Sequence, residues 1–174
     1  MRKGLPGLAG VEHIGLTVPN LDEATAFFVD VIGCEVVFEV GPFRSDDDWM
    51  ATHLNVQPRA EVRRIRMLRC GNGPSFEVFE FAPPEGSGNP PANSAVGGHH
   101  LAFYVEDMAQ ALDHLRGRGV RIMGEPTTMT EGPSAGLSWV YFLAPWGLQL
   151  ELVSYPGGMF YEKTATAPLW RPRA

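Results

Sequence analysis

The chain contains an internal repeat, which restricts its fold more than any other feature of the sequence. With His13 placed over His100, the segments HIGLTVPNLDEATAFF and HLAFYVEDMAQALDHL align without a gap at an offset of 87 residues. Further on, SFEVFEFAPP and LQLELVSYP align with Glu77 over Glu151 at an offset of 74. The first half therefore has a longer loop, and segment 41–59 has no equivalent in the second half. We predict one domain built from a duplicated unit.

Each half has the pattern of a strand, a helix and three further strands. Asn20 and Asp107 are predicted N-caps of helices that end near Ile32 and Arg118, in each case just before a glycine. In both opening strands, alternate residues are apolar, which is typical of one buried face: Ile14, Leu16 and Val18, then Leu101, Phe103 and Val105. Further strands are predicted near 35–41, 60–70, 120–125 and 137–143. The fold class is α+β, with two tandem βαβββ modules.

The predicted organisation is one domain over 1–174 with four parts. Module 1 covers about 10–82, a linker covers about 83–98, module 2 covers about 99–156, and the tail is 157–174. The linker is recognised by its content of Pro, Gly, Ser and Asn.

Composition and charge narrow the range of partners and locations. A hydrophobic fraction of 44% and a charged fraction of 20% are ordinary for a globular protein. The net charge of −6 argues against a nucleic acid or an anionic membrane surface as partner. MRKGLPGLAG lacks the apolar core of a signal peptide, and no apolar run approaches the ~18 residues of a membrane helix. These observations predict a cytoplasmic location with Cys34 and Cys70 reduced, and a single disulfide is the alternative.

Two histidines and two glutamates stand at equivalent positions of the repeat. His13 and His100 have the opposite parity to the apolar face of their strands, so we expect them on the face away from the helices. By the same parity argument, we expect Glu77 and Glu151 on the face away from the helices. His99 has no counterpart histidine and is interpreted as a neighbour at the strand end.

A carboxylate among apolar neighbours needs a partner, and the sequence offers two kinds. Arg64 and Arg66 on the predicted third strand could pair with a glutamate. Alternatively, the four residues supply the two nitrogen and two oxygen ligands of a metal site with open positions. The symmetric placement of the quartet favours the metal site.

Several motifs resemble the vicinal oxygen chelate (VOC) superfamily, the fold of glyoxalase, bleomycin resistance protein and extradiol dioxygenase. They are VEHIGLTVPNLDEATAFF, GGHHLAFYVEDMAQAL, APWG before LQLELV, and the paired FEVFEF and LELVSY strands, and the resemblance covers about 10–156. It implies two βαβββ modules forming a curved mixed sheet, or half-barrel, around a metal cleft. The ligands implied by family position are His13, Glu77, His100 and Glu151. Ala144-Pro145 replaces the family's usual Asp-Pro, which affects only a turn.

The ligand set is most similar to those of glyoxalase I and methylmalonyl-CoA epimerase, because Glu77 is present. This resemblance implies a lyase or isomerase that transfers a proton alpha to a carbonyl through a metal-stabilised enediolate or enolate. Glu151 or Glu77 is the expected base, with Glu151 preferred by resemblance. The implied cofactor is one divalent ion (Ni, Co, Zn or Mn), and the implied partner is a small substrate with vicinal oxygens. A homodimer is expected.

Two alternatives remain open. An Fe(II)-dependent extradiol dioxygenase uses two histidines and one glutamate, so Glu77 would not be a ligand. Phe79, Phe81 and Tyr104 would then suit a catechol-like ring. A metal-free drug-binding resistance protein is the third interpretation, but it does not require all four ligand positions to be filled.

Two segments and two arginines are left without a settled role. Segment 41–59 is either a lid or specificity loop or a solvated loop anchored by a buried Trp49. The tail carries Phe160, Tyr161 and Trp170, which either cover the cleft, lie at a subunit interface or pack loosely. If Arg64 and Arg66 face the cleft, they would bind a carboxylate or a CoA phosphate.

Overall fold

The computed structural model describes residues 5–82 and 89–172. Residues 83–88 of the predicted linker, residues 1–4 of the segment tested for a signal peptide, and residues 173–174 of the tail lie outside the described residues. The helices and strands of module 1 are β1 (His13–Thr17), α1 (Leu21–Ala26), a π-helical continuation (Phe27–Ile32), β2 (Glu35–Val40), α2 (Trp49–Leu54), β3 (Glu61–Arg69) and β4 (Ser75–Ala82). Those of module 2 and the tail are β5 (Leu101–Tyr104), α3 (Met108–Gly117), β6 (Arg121–Thr128), β7 (Ser138–Leu143), β8 (Gln149–Ser154) and a 3-10 helix (Phe160–Lys163).

The eight strands form two four-stranded mixed sheets with the same topology. The strand order is β1-β4-β3-β2 in one sheet and β5-β8-β7-β6 in the other. In each sheet the first strand runs parallel to the last, and the remaining neighbours are antiparallel. The predicted α+β class with two tandem βαβββ modules is therefore confirmed.

The predicted helix boundaries are confirmed at their caps. Asn20 Oδ1 accepts hydrogen bonds from the backbone amides of Asp22 and Glu23 at 3.0 Å. Asp107 Oδ1 accepts one from the amide of Gln110 at 2.9 Å. Each cap satisfies amides that the first helical turn leaves free.

The two modules share one hydrophobic core. The cluster combines helix-side residues of both sheets, with Phe28 and Val78 from module 1 and Phe142 and Leu150 from module 2 all fully buried. Trp146, in the turn between β7 and β8, packs against the rings of Phe27 and Phe28 at 5.7 Å. The helix-covered faces of the two sheets are thus turned toward each other. The opposite face of each sheet lies on the outside of the chain.

Cys34 and Cys70 form a disulfide, which was the alternative to the reduced thiols expected from the sequence. The antiparallel pairing of β2 with β3 places Glu35 opposite Arg69. Cys34 directly precedes Glu35 and Cys70 directly follows Arg69, so the two cysteines lie opposite each other at the end of the ladder. Within 5–82 and 89–172, no helix is long and apolar enough to cross a membrane.

The possibility that Arg64 and Arg66 face the cleft is wrong. Arg64 donates to Asp22 at 2.9 Å and to Glu80 at 3.1 Å, while Arg66 bonds to Asp22 and Glu39. Asp22 belongs to α1, so both guanidinium groups lie on the helix-covered side of the sheet. They do not pair with either of the glutamates of the predicted quartet.

Glu80 is the buried centre of this ion-pair network. Its carboxylate accepts the backbone amide of Leu21 at 2.9 Å, in the first turn of α1, and its side chain is only 10% exposed. The amide, followed by Arg64 and Arg63, lowers the pKa of Glu80 although burial acts in the opposite direction. The carboxylate therefore holds α1 on the sheet in its charged form.

We expect Glu80→Gln to reduce the free energy of unfolding by about 1–3 kcal/mol at neutral pH, because charged hydrogen bonds to a buried acceptor are lost. The folded pKa lies below the unfolded one, so this contribution exists above the ordinary pKa of about 4.3 and disappears as the pH falls through the folded value. Urea unfolding should show a smaller difference in the free energy of unfolding between wild type and Glu80→Gln at about pH 3.5 than at pH 7. Glu23→Gln, exposed on the same helix, is the control. A gap that is equal at both pH values would contradict the prediction.

Candidate functional site

The four predicted ligands lie on the outer faces of the two sheets, as their parity predicts. In module 1, β1 lies beside β4, and His13 Nε2 lies 3.2 Å from Glu77 Oε2. In module 2, His100 precedes β5 and Glu151 pairs with Ala102 of that strand, so that His100 Nε2 lies 3.2 Å from Glu151 Oε2. The repeat has therefore produced two equal pairs. We call His13 with Glu77 half-site 1, and His100 with Glu151 half-site 2.

The other ring nitrogen of each histidine faces an oxygen acceptor. His13 Nδ1 lies 2.5 Å from Glu12 Oε2, and His100 Nδ1 lies 3.1 Å from Asn93 Oδ1. Each Nδ1 therefore has an acceptor for a proton, and Nδ1 is where the ring proton lies when an imidazole binds a metal through Nε2.

The donor set fits a divalent transition metal. Imidazole nitrogen and carboxylate oxygen suit Zn, Ni, Co and Mn. Two adjacent ligands of one ion are separated by roughly 3 Å when each bond is about 2.0–2.2 Å long. The 3.2 Å between nitrogen and oxygen in each half-site matches this separation.

The two half-sites do not meet within one chain. Among residues 5–82 and 89–172, no group of three or more His, Cys, Asp and Glu side chains is arranged to hold a metal ion. The shared core explains this, because it joins the helix-covered faces and leaves both half-sites on outer faces. The single four-residue cleft implied by the resemblance is therefore present as two separated halves.

Comparison with known proteins places the chain in a family. A family model described as the Glyoxalase/Bleomycin resistance protein/Dioxygenase superfamily matches residues 10–152. The chain belongs to this superfamily. The resemblance to the VOC proteins that the motifs indicated is thus confirmed.

Relatives within the superfamily include two epimerases. The chain is 44% identical to a 2-epi-5-epi-valiolone epimerase from Actinomyces sp. over 171 residues, which cover 98% of this chain and 92% of that protein. It is 28% identical to an ethylmalonyl-CoA/methylmalonyl-CoA epimerase from Cereibacter sphaeroides over 115 residues, covering 66% and 74% of the two chains. A solved glyoxalase family protein from Bacillus cereus has a TM-score of 0.66 at 21% identity, covering 88% of this chain and 97% of that one, and supports the superfamily fold.

Half-site 2 is enclosed by aromatic side chains. Tyr141 lies opposite Glu151 in the ladder, and its ring meets that of His100 edge-on at 5.1 Å. Trp139 packs beside Tyr141 at 5.2 Å. The Glu151 side chain is only 12% exposed, and this burial raises its pKa, with His100 acting in the opposite direction. Burial and the nearby Glu151 raise the pKa of Tyr141.

Half-site 1 is more open in the single chain. The side chains of His13 and Glu77 are 43% and 28% exposed. The hydrogen bond that His13 donates to the Glu12 carboxylate is the largest cause that raises the pKa of His13, and the charge of Glu77 adds to it. Beyond the pair, the same face of β4 continues with the stacked rings of Phe79 and Phe81, 5.5 Å apart.

Segment 41–59 lies against the face that carries half-site 1. Its helix α2 buries Met50 completely in a small cluster with Ala60 and Val62, against which Phe79 and Phe81 pack. The expectation of a buried Trp49 is wrong, because Trp49 is 37% exposed and stacks on His53. Met50 is the anchor. A role for the segment as a lid or specificity loop stays a prediction.

The tail folds back onto module 2. The Arg171 guanidinium lies over the rings of Tyr104 and Tyr155 at 4.8 and 5.0 Å, and it donates a hydrogen bond to the Tyr104 hydroxyl. Tyr104 shares its strand face with His100, so the tail reaches the far end of the half-site 2 face. Phe160 and Trp170 remain 55% and 62% exposed in the single chain.

Sequence reasoning missed three residues that touch the half-sites, Glu12, Asn93 and Tyr141, and also Trp139, which packs on Tyr141. The strand parity of β7 relative to β8 contained a signal for Trp139 and Tyr141, because both share the face of Glu151. Asn93 lies in the linker, where no periodicity exists to reveal which side chain turns toward the sheet. His99 is a strand-end neighbour as interpreted, with Nδ1 3.1 Å from the Gly97 carbonyl.

Proposed function

We propose that the chain is a divalent-metal-dependent epimerase that inverts a carbon next to a carbonyl. One observation carries the proposal: each module presents a histidine Nε2 and a glutamate Oε2 at the same 3.2 Å separation. The full-length similarity to an epimerase supports the reaction type. A second epimerase among the relatives, with a different substrate in its name, supports it independently.

The proposed substrate is 2-epi-5-epi-valiolone or a closely related cyclic ketone with a hydroxyl next to the carbonyl. The identity of 44% over nearly the whole chain supports this class. Half-site 2 offers matching surfaces, since the Trp139 ring provides an apolar wall for a ring face. The hydroxyl of Tyr141 provides a hydrogen-bonding group close to Glu151.

We further propose that a homodimer completes the site. In a twofold dimer, half-site 1 of one protomer faces half-site 2 of its partner, and the symmetry produces two complete sites. Within the described ranges, neither pair forms part of a group of three or more His, Cys, Asp and Glu side chains that could hold a metal ion, which supports this arrangement. The outer face of module 1 also exposes apolar side chains that a partner would cover, including Phe38 and Val40, which are 53% and 50% exposed.

His13, Glu77, His100 and Glu151 would hold the ion, which when bound would act as a Lewis acid toward two neighbouring substrate oxygens. Glu151, the more buried carboxylate, removes the proton from the carbon beside the carbonyl. The C–H electron pair becomes the C=C bond of an enolate, and the carbonyl oxygen takes the negative charge. The partner's Glu77, protonated from solvent before this step, donates that proton to the opposite face, which inverts the centre and leaves Glu77 as a carboxylate. Proton exchange with solvent then resets both carboxyl groups.

Epimerisation in D₂O tests the proposal. Incubation with 2-epi-5-epi-valiolone should yield the epimer with one deuterium at the inverted carbon, as measured by NMR. Because the metal is required, dialysis against a chelator should abolish turnover, and Zn, Ni, Co or Mn should restore it. Oxygen uptake with catechols in the presence of Fe(II), and no deuterium incorporation, would instead establish a ring-cleaving dioxygenase. Binding of an aromatic drug by metal-free protein without turnover would likewise refute the epimerase.

A further inference from the structure

The geometry points to Asn93, in the linker between the modules, as a positioning residue that fixes His100 and Tyr141 as one unit. Its Oδ1 lies 3.1 Å from His100 Nδ1, and its side chain also hydrogen-bonds to Tyr141. Both contacts come from a residue outside the two βαβββ repeats. The inference rests on the proposed function only in assigning a metal to Nε2 of His100.

The carboxamide suits this place because it has an acceptor and a donor end. Asn93 Oδ1 accepts the proton of His100 Nδ1, so its amide NH₂ is left to donate to the Tyr141 oxygen. When a metal occupies Nε2, the ring proton lies on Nδ1, and the first bond then fixes the orientation of the imidazole beside Glu151. The second holds the Tyr141 ring edge-on against the imidazole, at 5.1 Å. An alanine at this position would provide neither contact.

A compact turn places the Asn93 carboxamide beside His100. The Ala95 amide donates to the Ala92 carbonyl and the Gly98 amide to the Ala95 carbonyl, both at 2.8 Å. Gly98 has no room for a side chain, because an added Cβ would lie 2.2 Å from the Ala92 carbonyl oxygen. The second glycine of the GGHH motif is therefore required for the turn to close over His100. Any larger residue there would push Asn93 away.

Different chemical groups orient the histidines of the two half-sites. His13 is oriented by the Glu12 carboxylate, a chain neighbour with an 80% exposed side chain. His100 is oriented by a neutral amide that adds no negative charge beside the largely buried Glu151. Since carboxylate and amide polarise an imidazole to different extents, the two histidines are not electronically equivalent despite the repeat.

The first test uses the metal-free protein, so that it does not depend on the proposed function. The Glu151→Ala background is used, because the carboxylate 3.2 Å from His100 Nε2 would otherwise hold a proton on that nitrogen. In this background, nitrogen-15 NMR at alkaline pH should show His100 as the Nδ1–H tautomer, and Asn93→Ala should shift it toward the Nε2–H form. Gly98→Ala should give the same shift although Asn93 itself is unchanged. Ser94→Ala, exposed in the same turn, should leave the spectrum unchanged.

The second test measures metal affinity by competition with a chromogenic chelator. Asn93→Ala should weaken Zn or Co binding about 10–100-fold, as loss of a ligand's hydrogen-bond partner typically does. Asn93→Asp keeps an acceptor for Nδ1–H and should recover most of the affinity, which a merely structural role would not predict. An unchanged tautomer in folded Asn93→Ala protein would overturn the inference. A wild type that binds no metal would refute the proposed function, and the tautomer shift would still decide the role of Asn93.

Discussion

Replacing Glu151 with glutamine should reduce kcat for epimerisation by about 10²–10⁴-fold, the usual contribution of a positioned base. Glutamine has nearly the same shape but cannot accept the substrate proton. Initial rates and metal content should be measured on the same preparations, so that loss of the base is separated from loss of the ion.

Glu77→Gln provides the discriminating comparison. If Glu151 removes the proton and Glu77 delivers one to the other face, this variant should still exchange the substrate proton with D₂O but should no longer invert the centre. Glu151→Gln should do neither from the same substrate. Glu125→Gln, an exposed side chain on β6, is the control and should behave as the wild type. Retention of wild-type kcat by metal-loaded Glu151→Gln would eliminate Glu151 as the base.

Two inactive variants should restore activity when they are mixed. His13→Ala destroys half-site 1 and His100→Ala destroys half-site 2, so each homodimer has no complete site. In the mixed dimer, one site receives both substitutions and the other receives neither. With random exchange of subunits, half of the dimers are mixed, so about a quarter of the wild-type activity should return.

A matched mixture separates this result from nonspecific rescue. His13→Ala and Glu77→Ala both damage half-site 1, so their mixed dimer contains no intact site and should stay inactive. Native mass spectrometry, with one variant labelled with nitrogen-15, resolves the mixed dimers by mass and shows that subunits have exchanged. If neither mixture recovers activity although subunits have exchanged, the site is not shared between protomers.

The local structure could be read from the sequence because each feature depends on nearby residues. Asn20 and Asp107 act as caps through hydrogen bonds within three residues, and the alternation in β1 and β5 identifies their buried faces. The parity of Glu77 and Glu151 followed from the same alternation. Equal distances in the two half-sites reflect the repeat itself.

Features that depend on contacts between distant segments could not be read in this way. An apolar helix face must be buried, but the sequence does not specify which surface buries it. The packing of the two modules, and therefore the separation of the half-sites, could not be predicted from the sequence. The irregularity of β3 between Val62 and Arg64 breaks the alternation, so that Arg64 and Arg66 do not share the outer face with Val62. The buried residue of α2 is Met50 and not Trp49, because the cluster that a six-residue helix packs against sets the orientation of the helix.

The contact between His100 Nδ1 and Asn93 Oδ1 also changes where module 2 begins as a transferable unit. A graft, split or circular permutation that starts at the first strand of the repeat would remove residues 92–98 and leave the imidazole without its acceptor. A segment that keeps His100 oriented therefore starts at about residue 92, before the repeat becomes visible. A duplicated gene segment cut at the repeat boundary would encode the strands and helix of this half, but its histidine would lack the contact with Asn93.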